Sequence, residues 1–470
     1  MKTAVRFILG LSLSGAAGAA EAATFTVTNT SPSGAGSLAQ AVADANAAAG
    51  ADTISFNVTG TGCDGFGVCT IALGGTLLVT GPVTIDGYTQ PGSAVNTILT
   101  GPINAVLTIV LSAEDIVGAE AIDLGTGAAG SIVRGVVISG GFQNTIRVGA
   151  ANVAIRGCFF GTDASGMTPL VNIGDVLAQG FDGASATTVG GASAADRNLI
   201  AGKVWFDHVP NGTIEGNLFG TKATATAALG PLPNDAIVLH AADTGSSAIR
   251  GNVVAGGTIE AVTLTNGSGN PLIVQGNSIG TDPTGTVNFG NPASGIRLQI
   301  GADDVTIGGS GAGEGNVIAF NAGAGVFLYP SGASGPQRIT IRGNSIHSNH
   351  QNPAFGESLG IDLGENQVPL GGLTENDLDD GDTGPNGLQN FPIIVTAVPS
   401  GASTHITGRL NSAASTTYTI DFYSNPACVG RPQDFLEGRT YLGAAQVTTD
   451  ASGDADVDAT VPSRSPRTST

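Results

Sequence analysis

The most distinctive chemistry in the sequence is a run of carboxylates. Glu375-Asn376-Asp377-Leu378-Asp379-Asp380-Gly381-Asp382 places five acids in eight residues, and no Lys or Arg lies between Arg342 and Arg409 to neutralise them. Alternating carboxylates around a glycine turn supply the hard oxygen ligands and flexible geometry that Ca²⁺ accepts. Asp377, Asp379, Asp380 and Asp382 are therefore candidate ligands of a structural calcium ion that would stiffen a joint between domains. The spacing is not that of a helix-loop-helix calcium site, and a solvated acidic linker is the plainer expectation. His347 and His350, close in sequence to Glu357 and Asp362, have the types and spacing to bind a metal or shuttle a proton; a polar turn is the plainer expectation. Four further carboxylates, Asp163, Asp182, Asp235 and Asp282, are candidates for glycoside hydrolysis, which needs two carboxyl groups about 5 to 9.5 Å apart. Asp163 and Asp282 occupy the same phrase two repeats apart, too far for that, and read as turn residues. His240, in Ile237-Val238-Leu239-His240, reads as structural, and no Cys/His spacing suggests zinc.

Short strands must position these residues. Between Pro271 and Ser345 the chain runs through Ile273-Val274-Gln275-Gly276-Asn277-Ser278-Ile279-Gly280-Thr281-Asp282, Val305-Thr306-Ile307-Gly308-Gly309 and Ile339-Thr340-Ile341-Arg342-Gly343-Asn344. Each is a β-branched run closed by Gly or Gly-Asn, which is a strand stopped by a turn. The opening phrase returns at Ile155-Arg156-Gly157-Cys158 and at Ile214-Glu215-Gly216-Asn217. Gly157 and Gly216 are 59 residues apart and Gly216 and Gly276 are 60 apart, the mark of a repeat protein. If equivalent strands stack at about 4.8 Å, Arg134, Arg156, Arg250 and Arg342 share one outward row. Ile155, Ile249 and Ile341 then point inward. Asn198, Asn217, Asn252, Asn277, Asn316 and Asn344 form a ladder of amides at a turn. Coils of roughly 20 to 25 residues would make about a dozen between residues 101 and 370, a column about 55 Å long.

Composition sets the limits. Gly accounts for 73 of 470 residues, which excludes a helical bundle because each Gly costs a helix interior about 1 kcal/mol relative to Ala. Hydrophobic residues make up 41%, enough for a continuous core. A net charge of −20 repels nucleic acid and anionic lipid, so neither is an expected partner. Nothing reaches the roughly 18 consecutive apolar residues of a membrane span.

The first 22 residues read as a signal peptide, with Lys2 and Arg6, an apolar run from Phe7 to Leu13, and an Ala20-Glu21-Ala22 cleavage site. Export permits disulfides. Cys63 and Cys69 enclose the tight loop Asp64-Gly65-Phe66-Gly67-Val68 and are expected to pair, leaving Cys158 and Cys428 free and buried. Ser37 and Gln40 form a capping box, and Leu38, Ala41, Val42 and Ala45 fall at helical spacing, so a short helix lids the open end of the solenoid. The expected organisation is a cap with the first coils over 23–100, the solenoid over 101–370, an acidic linker over 371–390, a sandwich over 391–461 and a polar tail over 462–470. From Phe391 onward the period gives way to antiparallel alternation, in Pro392 to Val398, His405 to Leu410 and Tyr418 to Ser424. So short a segment is expected to leave the sandwich incomplete.

The order Gly34-Ala35-Gly36-Ser37-Leu38-Ala39-Gln40-Ala41, then Asp52-Thr53-Ile54-Ser55-Phe56, then Ile85-Asp86-Gly87-Tyr88-Thr89-Gln90-Pro91-Gly92 resembles the start of bacterial secreted parallel β-helix repeat proteins, the adhesin-like group with a pectin-lyase-like fold. The Ile-Gly-Thr-Asp and Ile-Gly-Gly repeats are similar to that group's, as are Gly360-Ile361-Asp362-Leu363-Gly364 and Gly384-Pro385-Asn386-Gly387. The resemblance covers residues 25 to 460. It implies an all-β fold: a right-handed parallel β-helix (solenoid) with an N-terminal capping helix and a small C-terminal antiparallel β-sandwich. It also implies a secreted, extracellular or bacterial cell-surface protein without an assigned reaction. Val204-Trp205-Phe206-Asp207-His208, which contains the only Trp, is similar to the Trp-x-Asp-His phrase of pectate lyases. A lyase also needs calcium carboxylates and an Arg base. Lys203 and Arg197 are near, but no acidic cluster recurs at coil spacing, and a packed Trp with a surface Asp-His pair is the plainer reading.

Two functional classes follow. The first is an adhesin-like scaffold that presents long faces to polysaccharide or cell-surface ligands. The second is a carbohydrate-active enzyme, a polysaccharide lyase or glycoside hydrolase, with Asp207, His208, His347 and His350 as its catalytic candidates. Fold alone does not choose between them, and the sequence leaves the oligomeric state open.

Overall fold

The computed structural model of the chain describes residues 21–113, 120–140, 143–170, 175–230, 235–240, 245–257, 259–262, 271–330, 335–352, 359–364, 373–426 and 437–463. Most of the expected signal peptide, together with Glu357, Cys428 and residues 464–470, lies outside them.

Three parallel sheets run along the molecule. The first holds eleven strands, from Thr24–Val27 to Thr340–Arg342; the second holds ten, from Cys69–Ala72 to Ser345–His347; the third holds ten, from Leu77–Val79 to Ile361–Asp362. The chain visits the sheets in rotation, and each strand pairs with those one coil before and one coil after, so the described strands make ten coils of a parallel β-helix. Ten steps of about 4.8 Å give the first sheet a length of about 48 Å.

The coils are longer and fewer than the spacing of motifs suggests. From Ala154 to Thr213, 59 residues cover two coils, and from Thr213 to its register partner Ile273, 60 residues cover two more. The repeat is thus a pair of coils. Each Gly-Thr phrase, followed by Asp163, Lys222 or Asp282, opens a hairpin that leaves the column once per pair and closes through the bridges Thr162 to Pro169, Thr221 to Ala228 and Thr281 to Asn288.

Alternation along the strands builds the interior. Val133, Ile155, Val189, Ile214, Ile249, Val274 and Ile307 stand in register on successive coils of the first sheet, all fully buried. Each such side chain contributes about 1.5 to 3 kcal/mol of burial. At the turn after that sheet the Asn ladder forms. Asn198, Asn217, Asn252, Asn277 and Asn316 each donate, from backbone N–H and from Nδ2, to Oδ1 of the next Asn at 2.8 to 3.2 Å. The other Nδ2 hydrogen of each goes to a backbone carbonyl such as Ile214 O, 2.9 Å from Asn252. Cys158 stands at the head of the row, its N–H donating to Asn198 Oδ1 at 2.9 Å. A second, shorter ladder links Asn291, Asn321 and Asn349 at 2.8 and 2.7 Å.

The two ends of the column are finished differently. Helix Leu38–Ala47 lies at the first coils with Leu38, Ala41, Val42 and Ala45 buried, and Ser37 Oγ accepts from Gln40 N–H at 3.1 Å. Gln40 does not return the bond; its amide reaches Asp44 instead. At the other end, strands Ile393–Ser400, Ser403–Asn411 and Asp454–Pro462 form one antiparallel sheet, and Thr417–Ser424 and Thr440–Thr448 form another. Ile406, Leu410, Ile420, Phe422, Val447 and Val457 share the core between them. This region docks on the last coil: Ile346 N–H donates to Gly438 O at 2.9 Å, Arg342 pairs with Asp421 at 2.6 Å, and Glu437 ends the second Asn ladder, accepting from Asn349 at 2.9 Å. Cys63 and Cys69 are joined by a disulfide, and Cys158 is free and buried.

Candidate functional site

On the third sheet, strand Val204–Asp207 sends Val204 and Phe206 into the core and Trp205 and Asp207 outward. Its neighbours Asp175–Gln179 and Ile237–His240 stack on it in register, so Trp205 lies between Leu177 and Val238, and Asp207 between Gln179 and His240. Continued alternation would turn His208 inward, away from Asp207. Instead His208 takes φ 56°, in the left-handed region that non-glycine residues seldom occupy. Gly180 makes room for this bend: a Cβ there would come within 1.7 Å of the His208 carbonyl oxygen.

The bend brings three groups together. Asp207 Oδ1 lies 2.9 Å from His208 Nδ1 and 2.8 Å from His240 Nδ1. Phe181 packs 4.3 Å from the His208 ring, Trp205 meets the His240 ring edge-on at 5.4 Å, and Lys203 Nζ sits 4.9 Å from the Trp205 ring centre. His208 is 7% exposed, while Asp207 and His240 are half-buried. A neutral imidazole has one N–H, so both rings satisfy the shared carboxylate oxygen when each carries its hydrogen on Nδ1. One donor atom from each of the three residues falls within a 4.8 Å span, giving two nitrogens and an oxygen, a set suited to a divalent transition cation. His240, read from sequence as structural, is thus part of this cluster.

Around the cluster, charge is paired. Arg147 bridges Asp123 at 3.0 Å and also Asp182, Lys203 meets Asp175 at 2.9 Å, and Arg297 approaches Asp235 at 3.6 Å. Burial pushes the Asp175 carboxyl up against the opposing pull of Lys203. Farther along the same face, Phe327 follows Arg297 in register and meets Tyr329 at 5.8 Å.

The remaining sequence candidates are dispersed. Asp163 and Asp282 cap their hairpins, Asp163 accepting from Ser165 and Met167 and Asp282 from Thr284, Thr286 and Val287. Burial alone would raise both carboxyls; these donors outweigh it and hold them below the usual range. Four coils separate them, about 19 Å. Arg134, Arg156, Arg250 and Arg342 share a column of the first sheet, but Asp86 precedes them and Glu215, Gln275 and Gly308 interrupt them. Arg134, Arg156 and Arg342 pair with Asp86, Asp196 and Asp421. No continuous basic stripe results.

His347 ends strand Ser345–His347, buried with its ring against Phe320; burial, with Arg439 adding to it, pushes the imidazole down to about 4. His350 follows in a left-handed turn, φ 60°. Among the described residues, no group of three metal-capable side chains includes either His. Buried Asp362, its carboxyl raised by burial, accepts from Gly364 N–H. In the acidic run, Asp377, Asp380 and Asp382 bring carboxylate oxygens within 4.8 Å of one another. Asp379 stands apart, its carboxylate against Gly453. Asp377 accepts from Gly381 N–H, and Asp380 from Asn390 N–H and Ser412 Oγ.

No family model and no curated protein matches the chain. Among solved structures, a chain described as ORF18 of Geobacillus virus E2 aligns over 95% of this chain and 79% of its own length, with 11% identity and a TM-score of 0.31.

Proposed function

We propose that this protein is an exported, adhesin-like β-helix scaffold, secreted or held at a bacterial surface, of the pectin-lyase-like group, and that it binds polysaccharide along the outer face of the third sheet. One observation carries the reading. That face sets Trp205, Phe327 and Tyr329 among Gln179, Arg147 and Arg297 on a rigid ladder of strands. Aromatic faces accept the apolar side of sugar rings, and amide and guanidinium groups pair with hydroxyls and carboxylates. The ion pairs of Arg147, Lys203 and Arg297 favour display over turnover, since they engage Asp123, Asp182, Asp175 and Asp235.

Trp205 is the only tryptophan, so its emission reports directly on the face. Titration with pectins, alginates and glycosaminoglycans is expected to shift that emission with at least one glycan, and Trp205→Ala to weaken retention on the same glycan at least tenfold. Absence of any shift or retention across the panel defeats the reading. The Asp207, His208 and His240 cluster favours a second reading, a polysaccharide lyase or glycoside hydrolase; appearance of unsaturated products or new reducing ends in the same incubations, lost in Asp207→Asn, would establish it.

The same reading gives Asp377, Asp380 and Asp382 a structural Ca²⁺, since their carboxylate oxygens lie within 4.8 Å of one another and are the hard donors that ion takes. Calcium added to chelated protein is then expected to slow proteolysis between the β-helix and the sandwich, and an unchanged rate removes the ion from the account.

A further inference from the structure

We infer that Asp207, His208 and His240 form a binding site for one divalent transition-metal ion of the zinc class, independent of whether the face binds glycan. Three features of the fold lead there. Two imidazole Nδ1 atoms converge on a single carboxylate oxygen at 2.9 and 2.8 Å. The convergence depends on a left-handed bend at His208 that alternation would not produce and that only glycine at position 180 admits. Each ring also packs on an aromatic neighbour, His208 on the exposed Phe181 and His240 on Trp205, while the Asp207 and His240 side chains keep some exposure, 17% and 18%.

Imidazole nitrogen with carboxylate oxygen is the ligand set of zinc and its neighbours; calcium and magnesium take oxygen alone. An ion held at about 2.0 Å by tetrahedral donors keeps those donors about 3.3 Å apart, so the present N···O separations need open by only about half an ångström. On loading, the ion replaces the two N–H···O hydrogen bonds. Coordination through Nδ1 requires each ring to carry its hydrogen on Nε2. Water or an oxygen of a bound molecule completes the shell on the open side, the arrangement of a site with an exchangeable position.

The test uses the full chain stripped with chelator, reloaded with Zn²⁺, and dialysed. About one zinc per chain is expected to remain, with affinity falling at least a hundredfold in Asp207→Asn and in His240→Gln. Asp377→Asn/Asp380→Asn, which alters the acidic run, is expected to leave zinc binding unchanged. Co²⁺ in place of zinc should give the visible absorption of a four-coordinate nitrogen and oxygen site and quench Trp205, which touches His240. Ca²⁺ at the same concentration should do neither. The inference is overturned by failure of the wild-type chain to retain zinc, by equal retention in the His240→Gln variant, or by loss of zinc in the acidic-run variant. Should a site variant not fold, the wild-type Co²⁺ spectrum and Trp205 quenching decide alone, and a spectrum of hydrated cobalt without quenching rejects the site.

Discussion

The column of coils and the C-terminal sandwich are both β-structure, yet they treat a strand in opposite ways. In the column an inner strand such as Thr213–Glu215 has a neighbour on each side and Ile214 is fully buried. In the sandwich, strand Ile393–Ser400 pairs, among the described residues, with Ser403–Asn411 alone and is exposed at every residue, with Ile393, Ile394, Val395 and Val398 at 58, 62, 62 and 55%. Stacking like on like satisfies backbone and side-chain polar groups at once, because each coil is the template for the next. Five described strands in two sheets cover one core but leave an apolar edge open. Order in the column comes from repetition, and in the sandwich from a small core plus its contacts with the last coil.

The comparison is broken most directly in the middle of the Asn ladder. Asn252→Ala leaves the Asn217 N–H and Nδ2 without their acceptor and is expected to destabilise the column by about 4 kcal/mol, read as a fall in the urea midpoint. A midpoint within experimental scatter of the native chain would mean the ladder does not hold the coils. Next in size is acidification. His347 is held down to about 4 in the folded chain, against about 6.5 when unfolded. Its contribution is therefore complete above about pH 6.5 and lost as pH falls through about 4, a change of about 3 kcal/mol. His347→Gln is expected to flatten that part of the pH profile of melting.

Smaller again is the junction. Asp421→Asn removes the bidentate partner of Arg342 and is expected to cost about 1 to 2 kcal/mol, detected as faster proteolysis between residues 364 and 393 while the melting of the column is unchanged. Concerted loss of both transitions would show instead that the column leans on the sandwich. The smallest effect is expected on the open strand: Val395→Lys should shift stability by less than about 0.5 kcal/mol while reducing self-association in light scattering. A large loss of stability there would show that this strand is covered in the native protein.

Much of the fold is legible in the sequence. The Gly-Asn phrases predict the ladder because stacked turns demand the same residue at each level, and Ser37 with Leu38, Ala41, Val42 and Ala45 predicts the capping helix from local geometry alone. Coil length was not readable. The hairpins at Thr162, Thr221 and Thr281 insert residues outside the strands, so counting between motifs yields too many coils. Asp207 and His208 stand out as neighbours in sequence, whereas His240 reads as structural, since nothing local says that residue 240 lies one coil above residue 207.

Repetition and local propensity, both short-range properties, are what the chain carries in plain view: alternating strands, turn glycines, amide rows and a lid. Register across coils and the left-handed turn at His208 depend on the summed length of every excursion between strands and on the space left by Gly180. Those are properties of the packed column, and they place two imidazoles on one carboxylate.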